Sequence, residues 1–298
     1  MQRRLSELWQ RWAGIRHMAA HVLTMNQRNL NYIYPYNPRR HFPLADDKIL
    51  TKDLMQRAGV PVPSSYKIYD AFYQLRNLEE DLARHADFVI KPSQGSGGGG
   101  IVVIAGRKGT EWVGPGDKQF SLPQLRKHIS DIIFGVYSYD LKDRCVIEER
   151  IKQSSEMSVL SPWGLADIRV IMFNDQPVLS MARLPTRASE GRANLHQGAV
   201  GVGIDLESGI TNHAILNNMP TTTHPDTQLL LLGRQIPHWQ EVIRISRLAA
   251  SAVPLKYLGI DICIAESGPM LLEINVRPGL QIQNANLIGL RSRLDSLR

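Results

Sequence analysis

The hydrophobic pattern of this chain changes character near residue 167. Before that point helical spacing dominates. Leu5, Leu8, Trp9, Trp12, Ile15, Ala19 and Val22 form an apolar stripe, with Arg3, Arg4, Arg11 and Arg16 largely off it, which predicts a basic amphipathic helix. Docking on its own domain is the expected role of that helix, with peripheral contact to an anionic membrane as the alternative. Residues 29–46, rich in Pro, Asn and Tyr, are expected to be an irregular linker. A helix over 46–58 opens on Asp46 and Asp47 and stops at Gly59, ahead of Pro61 and Pro63. Further helices are expected over 71–85 and 122–134, and short strands over 88–92, 101–105 and 144–151. Beyond residue 167 the pattern turns to hairpins. Strands over 168–173 and 178–184 flank Asn174, Asp175 and Gln176, a glycine-rich segment follows, and a helix over 239–253 leads into a last hairpin. Short strands with sequence-adjacent neighbours and few helices predict an α+β fold rather than a doubly wound parallel sheet.

The last hairpin carries the sharpest chemical signal. Its apolar runs, 260–265 and 270–276, flank Ser267, Gly268 and Pro269. A turn centred on Ser267 sets Asp261 opposite Glu273, where two carboxylates repel unless something binds between them. Asn275 lies two residues on and shares that face. Two carboxylates and a carboxamide form an oxygen cage for a hard cation, with Mg2+ the natural occupant and Mn2+ a substitute. A solvated polar face is the plain alternative.

Composition narrows the classes. With 298 residues, 43% hydrophobic and 21% charged, the chain describes a soluble globular protein with ample core. A net charge of +7, interspersed rather than blocked, suits nucleotide, phosphate or carboxylate ligands and gives no nucleic-acid footprint. Cys145 and Cys263 both fall in apolar strand-like runs, so buried thiols in a reducing cytoplasm are expected. No apolar run reaches a membrane span, and no signal peptide is apparent.

Residues 94–100 read QGSGGGG, with GxGxxG at Gly95, Gly97 and Gly100. A dinucleotide fingerprint would need a helix next, but residues 101–105 are β-branched and apolar. No Gly-Lys-Ser/Thr closes a P-loop, and neither HRD nor DFG occurs, which removes protein kinases. Strand, glycine loop and strand remain. The bare amides of Gly95, Ser96, Gly97, Gly98 and Gly99 can fold over phosphates, and Lys91 on the preceding strand presents a cation toward them. Glu148, Glu149, Arg150 and Ile151 follow another apolar strand and are either an exposed strand end or a hinge that binds base and ribose.

Taken in order, these segments resemble the ATP-grasp enzymes. The match runs from Asp47-Lys48 through AGVPVP, VIKP with the glycine loop, VIEERI, DIR and GRANLHQG to Asp261 with LEINVRPG, covering about 46–279. DIRVIMF, MARLPTRASEGRANLHQGA and LEINVRPG most resemble the ribosomal-protein glutamate ligases and their alpha-L-glutamate ligase-like relatives. The resemblance implies two α+β subdomains clamping ATP, over 46–150 and 151–298, behind a short helical segment, 1–45, in place of a full preceding domain. It implies Lys48 and Lys91 on phosphates, 148–151 as the adenine and ribose hinge, and Asp261, Glu273 and Asn275 on magnesium. Arg277 would sit beside the transferred phosphate. The stretch between Glu149 and Asp167 is longer than in the glutamate ligases, which leaves the ribose carboxylate between Glu149 and Glu156. That longer insert is also similar to ATP-grasp proteins found with sugar-transfer systems.

The implied reaction is ATP-dependent joining of a carboxylate to an amine through an acyl phosphate, with glutamate or a short peptide as substrate. Arg169 and Arg183 fall near the same end of the 168–184 hairpin, and with Arg192 they are expected to grip a substrate carboxylate or the acyl phosphate, with no comparable acidic density beside them. His196 is expected to be a satisfied loop residue rather than a base, and no partnered Ser or Cys nucleophile is seen. The alternatives are a phosphotransferase or sugar-transfer-associated ligase, and a nucleotide-binding subunit without activity. A homo-oligomer is compatible with the sequence.

Overall fold

Strands form where period-two alternation coincides with β-branched residues, and the structure, a computed structural model, describes residues 21–95 and 97–298. The amphipathic helix expected at the N-terminus and Ser96 of the glycine loop lie outside the described residues. The chain divides into two compact units, one of residues 43–152 with 270–272, the other holding 21–42, 153–269 and 273–298. Among the described residues no helix is long and apolar enough to cross a membrane.

The smaller unit contains strands β1 (Ser65–Tyr69), β2 (Phe88–Pro92), β3 (Val102–Ile104), β4 (Gly106–Lys108), β5 (Glu111–Val113), β6 (Gln119–Phe120) and β7 (Cys145–Glu148). One antiparallel sheet has the order β1-β7-β2-β3, and β4, β5 and β6 form a second. Helix α1 (Lys48–Arg57) starts after Asp47, whose carboxylate accepts the amide hydrogens of Ile49 and Leu50 at 3.0 and 3.3 Å. The helix expected over 71–85 is instead a 3-10 segment, Phe72–Asn77, followed by α2 (Leu78–Ala83). Gln74 is the reason: its side chain reaches back to the amides of Asp70 and Ala71 and tightens the first turns. Helix α3 (Leu122–Ile133) carries a capping box between Ser121 and Gln124 and buries Leu125, Ile129, Ile132 and Ile133 beside Phe88, Ile90 and Ile147.

The larger unit is built on a seven-stranded sheet in the order β12-β11-β10-β9-β8-β13-β14. Its strands are β8 (Asp167–Phe173), β9 (Gln176–Leu184), β10 (Val200–Ile204), β11 (Thr211–Leu216), β12 (Met219–Thr221), β13 (Tyr257–Ala265) and β14 (Gly268–Asn275). Asn174 and Asp175, both at positive φ (47° and 62°), make the β8–β9 turn, one residue shorter than the sequence suggested. The last turn is Glu266 and Ser267, with Gly268 opening β14 at φ +112°. The glycine-rich segment contains a strand, β10, and a Cβ on Gly203 would lie 2.3 Å from the carbonyl oxygen of Ala285. A short helix α4 (Ser155–Leu160) fills the long insert, and α5 (Trp239–Ser251) packs on β8, β9 and β13.

Residues 29–46 are no linker. Short helical turns run through Met25–Arg28, Asn29–Ile33 and Tyr34–Tyr36, and Tyr32 and Ile33 are buried. Tyr32 and Tyr36 meet the Phe173 ring edge-on at 5.7 and 4.9 Å. Asn37 takes the amide hydrogens of Lys256 and Tyr257 and donates to the Tyr257 carbonyl. Aromatic burial thus overrides the Pro- and Asn-rich composition.

Candidate functional site

In the smaller unit, β2 and β7 bring Lys91 and Glu148 together. The carboxylate of Glu148 is buried and receives Lys91 Nζ on Oε1 and Lys52 Nζ on Oε2, each at 2.5 Å. Burial alone would raise the Glu148 pKa, but Lys91 and Lys52 hold it below the ordinary value, so the group stays ionised. Lys52 in turn is pushed down by burial, against the pull of Glu148. Glu148 therefore faces Lys91 and Lys52. Glu149 instead accepts the Ser64 amide hydrogen at 3.0 Å, Arg150 reaches Asp87 at 3.7 Å, and Ile151 lies beyond the end of β7. Lys52 was not anticipated. Its signal was present, because Lys48 and Lys52 are four apart and share a face of α1.

Lys48 ties α1 to the glycine loop. Its amide donates to the Ser93 carbonyl at 2.9 Å and its Nζ to the Gly95 carbonyl at 2.5 Å. A Cβ on Gly95 would lie 2.3 Å from Pro92 Cγ, so the chain needs glycine there for close approach. Gly97 and Gly98 stand at φ +63° and +80°, and Gly99 completes the run toward β3.

In the larger unit four neighbouring strands put charges on one sheet face. Asp167 and Arg169 are two apart on β8; Arg183 of β9 lies across from Asp167, and Asp261 of β13 across from Arg169. Arg183 grips Asp167 with Nε to Oδ1 at 2.5 Å and Nη2 to Oδ2 at 2.6 Å, and its Nη2 also reaches Asp261 at 2.6 Å. Arg169 grips Asp261 with Nε at 2.7 Å and Nη2 at 2.5 Å. Asn275 of β14 donates from Nδ2 to Asp261 at 3.0 Å and to Glu273 at 3.2 Å, and Glu273 stands 4.0 Å from Arg169. Burial drives Asp167 up to about 7, against the pull of Arg183 and helped by Asp261. Burial acts on Asp261 in the same sense, but Arg169 and Arg183 hold it well below the usual carboxylate range.

The sugar-transfer associated ATP-grasp model matches residues 27–298. The chain belongs to this family. It is also 24% identical over 260 residues to a "Probable alpha-L-glutamate ligase" of Pseudomonas putida, covering 86% of this chain and 64% of that protein. A namesake from Halorhodospira halophila is 24% identical over 248 residues, covering 83% of this chain and 61% of the relative. This chain thus spans less than two thirds of the length of these relatives. The solved ATP-grasp ligase PsnB with its minimal precursor aligns at TM-score 0.45 and 18% identity, over 88% of this chain and 62% of that one.

ATP-grasp ligases use ATP with Mg2+, and the donor set can be tested against that ion. Glu273 is partly exposed, and Asn275 spends its amide nitrogen on both carboxylates, leaving its carbonyl oxygen for another partner. Both suit a hard cation. Asp261 is fully buried; its Oδ2 accepts from Arg169, Arg183 and Asn275, while Oδ1 accepts from Arg169 alone and keeps a lone pair. Among the described residues no three His, Cys, Asp or Glu side chains are grouped to hold a metal, so the amide of Asn275 is needed to complete a set.

Two of the arginines lie among carboxylates. Arg169 and Arg183 are engaged by Asp167 and Asp261, an acidic density the sequence reading denied. Arg192 lies on the β9–β10 loop and pairs with Glu190 at 3.5 Å. Arg277 is exposed and stacks over Phe42 at 5.2 Å. Glu156 sits exposed in the first turn of α4 beside the Ser155 hydroxyl, and His196 is exposed in a 3-10 turn.

Proposed function

We propose that this ATP-grasp protein is an ATP-dependent ligase that phosphorylates a carboxylate and joins it to an amine. One observation carries the reading: Asp261, Glu273 and Asn275 stand together on one sheet face beside two buried arginines, in a chain of this family. The names of the Pseudomonas and Halorhodospira relatives support glutamate as a substrate.

A carboxylate is a poor acyl donor because oxide is a poor leaving group. Attack of its oxygen on the γ-phosphorus of ATP releases ADP and leaves an acyl phosphate. An amine then attacks the carbonyl carbon, the C–O bond to phosphate breaks, and the ammonium proton passes to solvent. Such transfer needs positioning and neutralisation of spreading charge more than covalent help. Lys48, Lys91 and the amides of Gly95, Ser96, Gly97, Gly98 and Gly99 would bind the phosphates, with Arg277 beside the transferred group. Glu273, Asn275 and Asp261 would hold Mg2+, which supplies positive charge against phosphate repulsion. Arg169 and Arg183 keep Asp261 ionised and oriented, and Arg192 is left to meet a substrate anion. Glu149 or Glu156 would take the ribose. ATP, an amino acid or peptide and a divalent cation are thus the partners of the site.

The family description favours a second reading, a ligase or phosphotransferase acting on a sugar-linked acceptor. ADP release across a panel of amino acids, dipeptides, amino sugars and polyols, with mass spectrometry of the product, separates the two. Glutamate or a peptide with a free carboxylate should stimulate release and yield a new amide. A phosphate ester formed with polyols alone would put the second reading first.

A further inference from the structure

The glycine loop is held at both ends by side chains outside the site described above. At its start stands Asp143, a carboxylate 1% exposed. It accepts Ser93 Oγ at 2.6 Å, the Gln94 amide hydrogen at 3.2 Å on each oxygen, the Arg144 amide hydrogen at 2.7 Å and the Ser138 hydroxyl. The Arg144 guanidinium turns instead to Asp47, the cap of α1. Asp143 is thus satisfied by hydroxyl and amide donors, and two of its partners, Ser93 and Gln94, lead directly into the loop.

At the other end, His128 Nε2 lies 2.9 Å from the Gly100 carbonyl and the Tyr137 hydroxyl lies 3.3 Å from His128 Nδ1. The tautomer that satisfies both has Nε2–H donating to Gly100 and Nδ1 accepting from Tyr137, and burial favours that neutral ring. Gly100 is at φ +74°, and a Cβ there would come 2.7 Å from the Tyr137 ring. The stretch 134–141, between the end of α3 and Asp143, has little apolar burial of its own. Phe134, Val136, Tyr139 and Leu141 are all exposed. A buried carboxylate is a costly way to fill space, but its bonds are directional and select one backbone path.

We propose that Asp143, and His128 with Tyr137, are positioning residues for the phosphate-binding loop: they fix its two ends and so set where the amides of Gly97, Gly98 and Gly99 meet a nucleoside triphosphate. This rests on the ATP-dependent reading above. The test compares Asp143→Asn, His128→Leu, His128→Gln and Tyr137→Phe, measuring ATP affinity by calorimetry and KM for each substrate. Asp143→Asn and His128→Leu should raise the Kd and KM for ATP about tenfold and leave the KM values of the other substrates unchanged. His128→Gln, which keeps a donor for Gly100, should return ATP affinity to within about twofold of wild type. Folded Asp143→Asn and His128→Leu proteins that bind ATP like wild type would overturn the proposal. If Asp143→Asn does not fold, the His128 pair decides. Wild type that binds no ATP would sink the ATP-dependent reading instead. The clasp is then judged by amide exchange at Gly97, Gly98 and Gly100, where no change in His128→Leu refutes it.

Discussion

The two units each bury a charge cluster, and the clusters are balanced in opposite senses. Lys52 and Lys91 against Glu148 sum to +2 − 1 = +1. Arg169 and Arg183 against Asp167, Asp261 and Glu273 sum to +2 − 3 = −1 once Asp167 is ionised, above about pH 7, with Glu273 at the partly exposed edge. A buried surplus charge is expensive, which sets the first cluster apart from the second, where the extra negative charge lies on the partly exposed Glu273. The residue types differ for a related reason. Lysine is a point charge on a flexible stem and can follow a ligand away from Glu148. Arginine's planar fork holds Asp167 and Asp261 in fixed bidentate geometry within the sheet.

Removing Asp261 should break the contrast most severely. Asp261→Ala strands the buried Arg169 guanidinium and takes one contact from Arg183, which keeps Asp167; loss of one partner from such a network is worth about 3–5 kcal/mol. The denaturant midpoint should fall accordingly, and a shift near zero would mean the arginines do not depend on Asp261. Glu273→Gln should act on chemistry alone. Glu273 lies at the exposed edge of the cluster, so the circular dichroism spectrum and melting temperature should stay near wild type while ADP formation is lost. Normal turnover with magnesium in this variant would remove Glu273 from the metal set.

A smaller effect tests the lysine cluster. Lys52→Met and Lys91→Met share Glu148, so ATP affinity and stability should be non-additive in the double variant, with a coupling of about 0.5–3 kcal/mol. Additive behaviour in a double-mutant cycle would mean the two lysines act separately.

The pH dependence is the finest test. Asp167 is raised from 3.8 to about 7 on folding, so its contribution to stability declines as pH rises from about 4 to 7. Asp261 and Glu148 are lowered on folding, so their contributions are present above the unfolded values and lost on acidification. Asp167→Asn should therefore remove a decline of at most about 1.4 kcal/mol per pH unit between pH 4 and 7 and leave the acid limb in place. An unchanged slope between wild type and variant would show that Asp167 titrates normally.

Much of this is legible in the sequence. Alternation placed the β8–β9 and β13–β14 hairpins, and the two-residue spacing of Glu273 and Asn275 put them on one face. The ordered motifs pointed to the ATP-grasp fold that the family match supports. The partners of the charged residues were less legible. Nothing local to Glu148 reveals that Lys52, 96 residues earlier, would reach it. Nothing local to Arg183 reveals that Asp261, 78 residues later, would share its guanidinium with Asp167.

The sequence by itself determined the two hairpins beyond residue 167, the longer helices, where the glycine loop falls and that Glu273 and Asn275 share a face, because periodicity and turn chemistry act over a few residues. Only the tertiary structure decided which charges neutralise one another. Strand order sets that: Arg169 meets Asp261 because β8 lies beside β13, and Arg183 meets Asp167 because β9 lies on its other side. Ion pairing depends on distances between segments far apart in the chain, and those follow from how the sheet assembles.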